Sequence, residues 1–311
     1  MKKIIISVIL YFSFIQFSIA ENHEVKILYK VNENIISNID VANEIRYLKI
    51  LDKNFQSIEL NKLKDVALKS LIKEFIKKDE IEKYYNVDYN STNIDNYINR
   101  IGLNLGFNNI DDLTNHLSKN DIKLKDIRRK LNIEKTWNSL IYEIYFKKIV
   151  INKEQISNKL EKIINQKTYQ KSFRLSEIVF SAKDKISFEK KYNEILHDIE
   201  KTNFNQAAII HSISDTANLG GEVGWVNTSQ LSKKIYDEIK NLKAEQMSRP
   251  ITTPGGMLIL KVNEIKDVLN EKLDKDLEFS NMIKIEQNRQ LTEYSIIHYK
   301  KVERNSYVKK I

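Results

Sequence analysis

The run Gly220-Gly221-Glu222-Val223-Gly224-Trp225-Val226 lies at the centre of the stretch that decides the fold, residues 173–261. That stretch contains both prolines of the chain and one of its two tryptophans. The segments on either side are rich in Lys, Asn and Ile and show helical spacing of their apolar residues. The sequence therefore predicts a compact, turn-rich domain between two helical segments.

The central stretch mixes strand and helix patterns. We predict, in order, a strand at 175–180, helices at 186–201 and 203–211, a Gly-rich turn, a helix at 231–242 and strands at 247–251 and 257–262. A strand, then helices, then antiparallel strands is typical of an α+β domain with a small antiparallel sheet. We assign this central domain to residues 171–266.

The flanking segments predict a helical lobe. A strand pair at 25–31 and 35–36 is followed by amphipathic helices up to residue 149, which indicates a bundle. A further helix at 271–303 and a short strand at 305–311 close the chain. Because this last helix has an apolar face and an isolated strand pair needs a partner, we expect both chain ends to fold together. The predicted helical lobe thus combines residues 21–170 and 267–311.

Residues 1–20 have the pattern of a secretory signal. Lys2 and Lys3 precede an apolar run at 4–17, and Ser18-Ile19-Ala20 places small residues before the predicted cleavage point after Ala20. We expect export and no stable membrane insertion after cleavage. The alternative is an uncleaved helix that would anchor the chain to the membrane.

Composition excludes several functional classes. The net charge of +9 comes from lysines spread along helices, and no nucleic-acid-binding motif accompanies them, so we predict no nucleic-acid partner. The absence of cysteine excludes disulfides, thiol nucleophiles and Cys-ligated metals. No phosphate-binding loop, dinucleotide fingerprint or zinc-protease motif is present, and the five histidines are scattered. We predict no cofactor and no metal.

Four motifs carry a family resemblance. They are Leu175-Ser176-Glu177-Ile178-Val179, Gly220–Val226, Ser248-Arg249-Pro250-Ile251 and Gly255-Gly256-Met257-Leu258-Ile259-Leu260-Lys261-Val262. In order and spacing they resemble the parvulin type of peptidyl-prolyl isomerase. The signal, the strand pair, the helical lobe and the closing Ser306-Tyr307-Val308-Lys309 extend the resemblance to the SurA-like periplasmic chaperones, here with a single parvulin domain.

The resemblance implies a site, and this chain departs from it. Family members carry histidines in the first and last strands, at positions occupied here by Glu177 and Leu258. The family's Cys or Asp near the reacting bond falls at Ser214 or Asp215. The apolar pocket for proline falls at Val223, Leu231, Ile235 and Leu258. A leucine cannot form hydrogen bonds, and a carboxylate replaces an imidazole by a group of different charge.

Two functional interpretations follow. The first is an ATP-independent chaperone that binds unfolded or extended polypeptides, outer-membrane β-barrel precursors in particular, with weak or absent isomerase activity. Its working surface would be the helical lobe, from 25–149 and 271–311, through apolar contact with extended chains. The alternative is an active peptidyl-prolyl cis-trans isomerase that assists the folding of exported proteins.

Overall fold

The computed structural model describes residues 24–51, 53–165, 170–268 and 275–311. The predicted signal segment and its cleavage point after Ala20 lie outside these ranges. No helix among the described residues is both long and apolar enough to cross a bilayer.

The N-terminal part begins with a hairpin and continues with helices. Its elements are β1 (Ile27–Val31), β2 (Asn34–Ser37), α1 (Asn38–Leu51), α2 (Leu60–Ile81), α3 (Asp95–Asn104), α4 (Ile110–Lys119), α5 (Leu124–Tyr145) and α6 (Lys153–Asn165). Asn32 adopts a φ of 50°, a left-handed conformation that Asn tolerates, in the turn between β1 and β2. On α2, Leu63, Val66 and Ala67 recur at helical spacing and are buried in the core.

The C-terminal segment folds back onto this part. It forms α10 (Lys275–Arg304) and β7 (Val308–Lys310), and β7 pairs antiparallel with β1, so the sheet order is β2-β1-β7. On α10, Ser295 accepts a 2.9 Å hydrogen bond from the indole nitrogen of Trp137 on α5. The predicted fold class, α+β with a helical lobe completed by the C-terminal helix, is confirmed.

The central domain is built on a four-stranded antiparallel sheet in the order β4-β3-β6-β5. Its elements are β3 (Gln170–Phe180), α7 (Lys185–Lys201), α8 (Phe204–His211), β4 (Glu222–Asn227), α9 (Lys233–Ile239), β5 (Ile251–Thr253) and β6 (Gly256–Val268). In the β3–β6 register, Glu177 is opposite Leu260 and Val179 is opposite Leu258. Because side chains alternate between the faces of a sheet, these four residues share one face.

Each face of this sheet has its own apolar core. Ile178, Phe180 and Ile259 pack beneath α7 and α8 on one face. On the other face, Val179 and Leu258 belong to a second core, to which α9 contributes Ile239. The face that carries Glu177 is therefore the face beneath α9.

The structure differs from the sequence prediction around the glycines. The predicted Gly-rich turn contains a strand, β4, and only Gly220 and Gly221, with φ of 65° and 78°, form the turn before it. A Cβ on Gly221 would lie 2.2 Å from the carbonyl oxygen of Glu177, so only glycine allows this close approach. The helix predicted at 231–242 is shorter: Ser232 caps α9 at its start, and the helix ends at Ile239.

The strand predicted at 247–251 is also reduced. Met247 forms only an isolated bridge with Lys261, and the regular strand β5 begins at Ile251. Pro250 precedes it and has no N–H to contribute to a sheet ladder.

The central domain is docked on the helical lobe. Ile209, at the end of α8, is buried in the apolar core that contains Val66 of α2. Lys62 of α2 forms a 2.5 Å ion pair with Asp198 of α7. On the far side, Lys300 of α10 donates a 3.0 Å hydrogen bond to the carbonyl oxygen of Gly255.

Candidate functional site

Glu177 is partly buried on β3 and faces a chain of hydroxyl groups. Thr216 donates a hydrogen bond of 2.9 Å to the Glu177 carboxylate. The hydroxyl oxygen of Thr216 lies 2.7 Å from that of Ser214, which in turn lies 3.0 Å from that of Ser212. Burial raises the pKa of Glu177 above its ordinary value, and the hydrogen bonds from Thr216 and Ser214 offset this only in part. The result is a carboxyl group that holds its proton more tightly than a solvated glutamate does.

Asp215 points away from this hydroxyl chain, toward the helical lobe. Its carboxylate lies 2.9 Å from the ammonium of Lys73 and 3.8 Å from that of Lys77, both on α2. Burial acts to raise the pKa of Asp215, but the charges of the two lysines outweigh it and lower the pKa to about 2. Asp215 is therefore ionised at neutral pH and committed to an ion pair.

The predicted apolar pocket residues divide into two groups. Leu231 and Leu258, each 6% exposed, lie in the core beneath α9, and Ile235 packs against the same core. Val223 is 43% exposed and lies on β4, the edge strand of the sheet. The structure thus brings three of the four together, and Leu258 is a packing residue of this core.

The sequence interpretation missed Thr216. Glu177 and Ser214 are in one network, as the resemblance implies, but Thr216 is the residue that contacts the Glu177 carboxylate directly. The signal was available in the alternation of Ser212, Ser214 and Thr216, since alternate residues of an extended segment share a side.

A large cleft separates the central domain from the helical lobe. Its volume is about 1540 Å³, and α2 and α5 form one side while the segment 209–218 forms the other. Apolar and aromatic side chains of the helical lobe line it, namely Val66, Ile72, Tyr97, Leu131 and Tyr142. Tyr97 and Tyr142 are 48% and 47% exposed, so their rings are available for contact. Ser214 and Asp215 line the opposite side, so the candidate site opens onto the cleft.

Several charged groups on the helical side of the cleft are paired with one another. The Lys130 ammonium lies 2.6 Å from Glu44 and also contacts Glu74, which pairs with Arg129. Glu44 and Glu74 raise the pKa of Lys130, which outweighs the opposing effect of its burial. The cleft therefore presents apolar surface beside these paired charges.

The described residues contain no group of three or more His, Cys, Asp or Glu side chains placed to hold a metal ion.

Comparison with known proteins identifies the central domain. Residues 172–264 match the family described as "Rotamase: PPIC-type PPIASE domain". The chaperone SurA of Buchnera aphidicola is 26% identical over 310 residues, covering 90% of this chain and 68% of that protein. The chaperone SurA of Pseudomonas aeruginosa is 24% identical over 155 residues, which cover 48% of this chain. The chain matches only 37% of the length of that relative.

Solved structures show weaker likeness. A structure from work on two SurA-like chaperones of Campylobacter jejuni, PEB4 and the periplasmic protein Cj1289, is 13% identical with a TM-score of 0.39. It covers 92% of this chain and 98% of that chain. PrsA from Bacillus subtilis is 16% identical, with a TM-score of 0.30 and coverage of 89% and 92%. The sequence matches therefore show that residues 172–264 match a PPIC-type rotamase domain and that the chain is similar to SurA chaperones.

Proposed function

We propose that this protein is an exported, ATP-independent chaperone that holds unfolded polypeptides in the cleft between its helical lobe and its rotamase domain. The observation that carries the proposal is the cleft itself, about 1540 Å³ in volume and lined by exposed tyrosines and aliphatic side chains. Such a surface binds extended chains through apolar contact without requiring a particular sequence.

The domain arrangement and compartment belong to this proposal. A signal at residues 1–20, cleaved after Ala20, would deliver the chain to the periplasm. There the lobe from 21–170 and 267–311 would hold the client beside the domain at 171–266. The resemblance to SurA-like chaperones supports outer-membrane β-barrel precursors as the client class.

The same proposal gives the rotamase domain weak or absent isomerase activity. Glu177 and Leu258 stand where the resemblance implies imidazoles, and Leu258 is 6% exposed within an apolar core. Asp215 is engaged by Lys73 and is not free to act on a substrate. Ser214 and Thr216 are the polar groups that remain beside Glu177.

An active isomerase is the second candidate. It is favoured by the hydroxyl chain beside Glu177, because a carboxyl group with a raised pKa can donate a hydrogen bond near the peptide bond. Catalysis would have to lower a rotation barrier that is about 20 kcal/mol in water.

Two assays on the full chain test the proposal. In the first, the chain suppresses aggregation of an unfolded client without ATP, and Tyr97→Ser with Tyr142→Ser removes most of this effect. Tyr84→Ser is the matched control, since Tyr84 is 57% exposed and does not line the cleft. Full suppression by the double variant would contradict the proposed binding site.

The second assay follows isomerisation of a short Xaa-Pro peptide. We expect turnover near the uncatalysed rate for the wild type and for Glu177→Ala alike. Rapid isomerisation that is lost in Glu177→Ala would overturn the assignment of weak activity and favour the second candidate.

A further inference from the structure

The segment from Ser212 to Thr216 connects the candidate rotamase site with the helical lobe. Ser212, Ser214 and Thr216 belong to the hydroxyl chain that ends at Glu177. Asp215, between two of them, instead contacts Lys73 on α2. The same short segment therefore has the rotamase site on one side and the helical lobe on the other.

The two lysines that reach Asp215 are themselves fixed within the helical lobe. Lys77 is 1% exposed and forms a 2.5 Å ion pair with Glu134 on α5. Its ammonium also lies 5.3 Å from the centre of the Trp137 ring, within range of a cation–π contact. The Lys73 ammonium lies 5.8 Å from the ring centre of Tyr299 on α10. Three helices thus determine where the lysines can meet Asp215.

On its other side the segment is bonded to its own domain, mainly near its two ends. The N–H of Ile213 donates to the carbonyl oxygen of Val179 at 2.8 Å, which ties the start of the segment to β3. Further on, the N–H of Ala217 donates to Ser214 at 3.3 Å, and that of Gly221 donates to Thr216 at 2.9 Å. These last two bonds are local turns. The N–H of Val179 donates to the Ser212 hydroxyl at 3.0 Å, and that of Glu177 donates to the carbonyl oxygen of Gly221 at 2.8 Å. β3 therefore fixes the two ends, and Asp215 lies between them.

We propose that Lys73 and Lys77 are positioning residues for the candidate rotamase site. By holding Asp215, they keep the hydroxyls of Ser214 and Thr216 within hydrogen-bonding distance of Glu177. The site is then complete only while the helical lobe is docked on the rotamase domain. This inference rests on the proposed location of the rotamase site at Glu177 and the segment 212–216.

The arrangement also couples the cleft to the site. Lys73 and Asp215 both line the cleft. A polypeptide that fills the cleft therefore lies against the ion pair that orders Ser214 and Thr216. The helical lobe acts on the rotamase domain through this contact as well as by holding the client.

Hydrogen exchange of the full-length protein, followed by mass spectrometry, tests the inference. In Lys73→Met, we expect the amides of Ala217 and Gly221 to exchange about threefold faster, the effect of losing one partly exposed ion pair while Lys77 remains. Lys73→Arg keeps the charge and should restore the wild-type rates. Asp215→Asn removes the ion pairs with both Lys73 and Lys77, so it should accelerate exchange at least as much as Lys73→Met.

The matched control is Lys300→Met. Lys300 also joins the helical lobe to the rotamase domain, but it contacts Gly255 and not the segment 212–216. We expect Lys300→Met to leave the Ala217 and Gly221 amides unchanged. Equal acceleration in Lys300→Met, or no acceleration in both Lys73→Met and Asp215→Asn, overturns the positioning role. Aggregation suppression is measured separately, so either result leaves the test of the chaperone function intact.

Discussion

The acidic side chains Glu44 and Glu74 on the helical side of the interlobe cleft have different partners from Glu177 on the rotamase side. On the helical side, Glu44 and Glu74 are paired with Lys130. On the rotamase side, the described contacts of the Glu177 carboxyl are hydroxyl groups, with Thr216 at 2.9 Å. A carboxylate beside a lysine stays ionised, whereas a buried carboxyl among hydroxyls tends to keep its proton. Glu177 is therefore the acidic group whose charge we expect to respond to pH, whereas Asp215, also on the rotamase side, is held ionised by Lys73 and Lys77.

The largest loss of stability is expected from a substitution in the apolar core of the helical side. Trp137 is fully buried between α5 and α10, and Lys77 lies over its ring. Trp137→Ala should lower the free energy of unfolding by about 4 kcal/mol, because it leaves a cavity and an unpaired Ser295 hydroxyl. Urea unfolding followed by circular dichroism measures this change.

Trp225 is the control for this prediction. It is 41% exposed on β4 and contacts Lys266, so Trp225→Ala should cost about 1 kcal/mol or less. If Trp137→Ala lowered the free energy of unfolding as little as Trp225→Ala does, the helical side would not depend on a rigid core.

The next largest loss of stability is expected when the ion pairs of Lys130 on the helical side are removed. Lys130→Met leaves Glu44, which is 2% exposed, without its cationic partner. We expect destabilisation by about 3 kcal/mol at neutral pH, since an uncompensated buried charge is costly. The measurement is again chemical unfolding, compared with Lys240→Met, whose ion pair with Asp237 lies at the surface. A stable Lys130→Met variant would remove the contrast between the two sides.

The smallest expected effect is a pH dependence of the free energy of unfolding, which arises from Glu177 on the rotamase side. Because burial raises the pKa of Glu177 in the folded chain, the protonated group favours folding. That contribution is present at pH values below the unfolded pKa and is lost as the pH rises through the folded pKa. Glu177→Gln cannot ionise, so at pH 7 it should be more stable than the wild type.

The difference should disappear near pH 3, where Glu177 of the wild type is protonated in both states. Unfolding measured at both pH values checks this, with Glu264→Gln as the control, since Glu264 is an exposed glutamate on β6 that pairs with Arg174. A Glu177→Gln variant that is less stable at pH 7 would mean that the wild-type carboxylate is stabilised in its charged form.

Sequence patterns predicted the fold correctly where the residues within one helix or strand pair were enough to determine its structure. The amphipathic spacing on α2 and the need of β1 and β2 for a partner strand led to the helical lobe and to the return of the C-terminal segment. The prediction of a Gly-rich turn was wrong at Gly224, which belongs to strand β4 although glycine usually weakens a strand. The ion pair of Asp215 with Lys73 joins residues 142 positions apart. Only the docking of the two parts creates it, so no local pattern could have revealed it.

The location of the client is the central claim, and site-specific photo-crosslinking tests it most directly. A photoreactive phenylalanine replaces Tyr142 in the cleft or Tyr236 on α9, which is 38% exposed, belongs to the rotamase domain and does not line the cleft. The account predicts that an unfolded outer-membrane protein precursor crosslinks at position 142 and only weakly at 236. Strong crosslinking at 236 with none at 142 would contradict it and place the client on the rotamase domain.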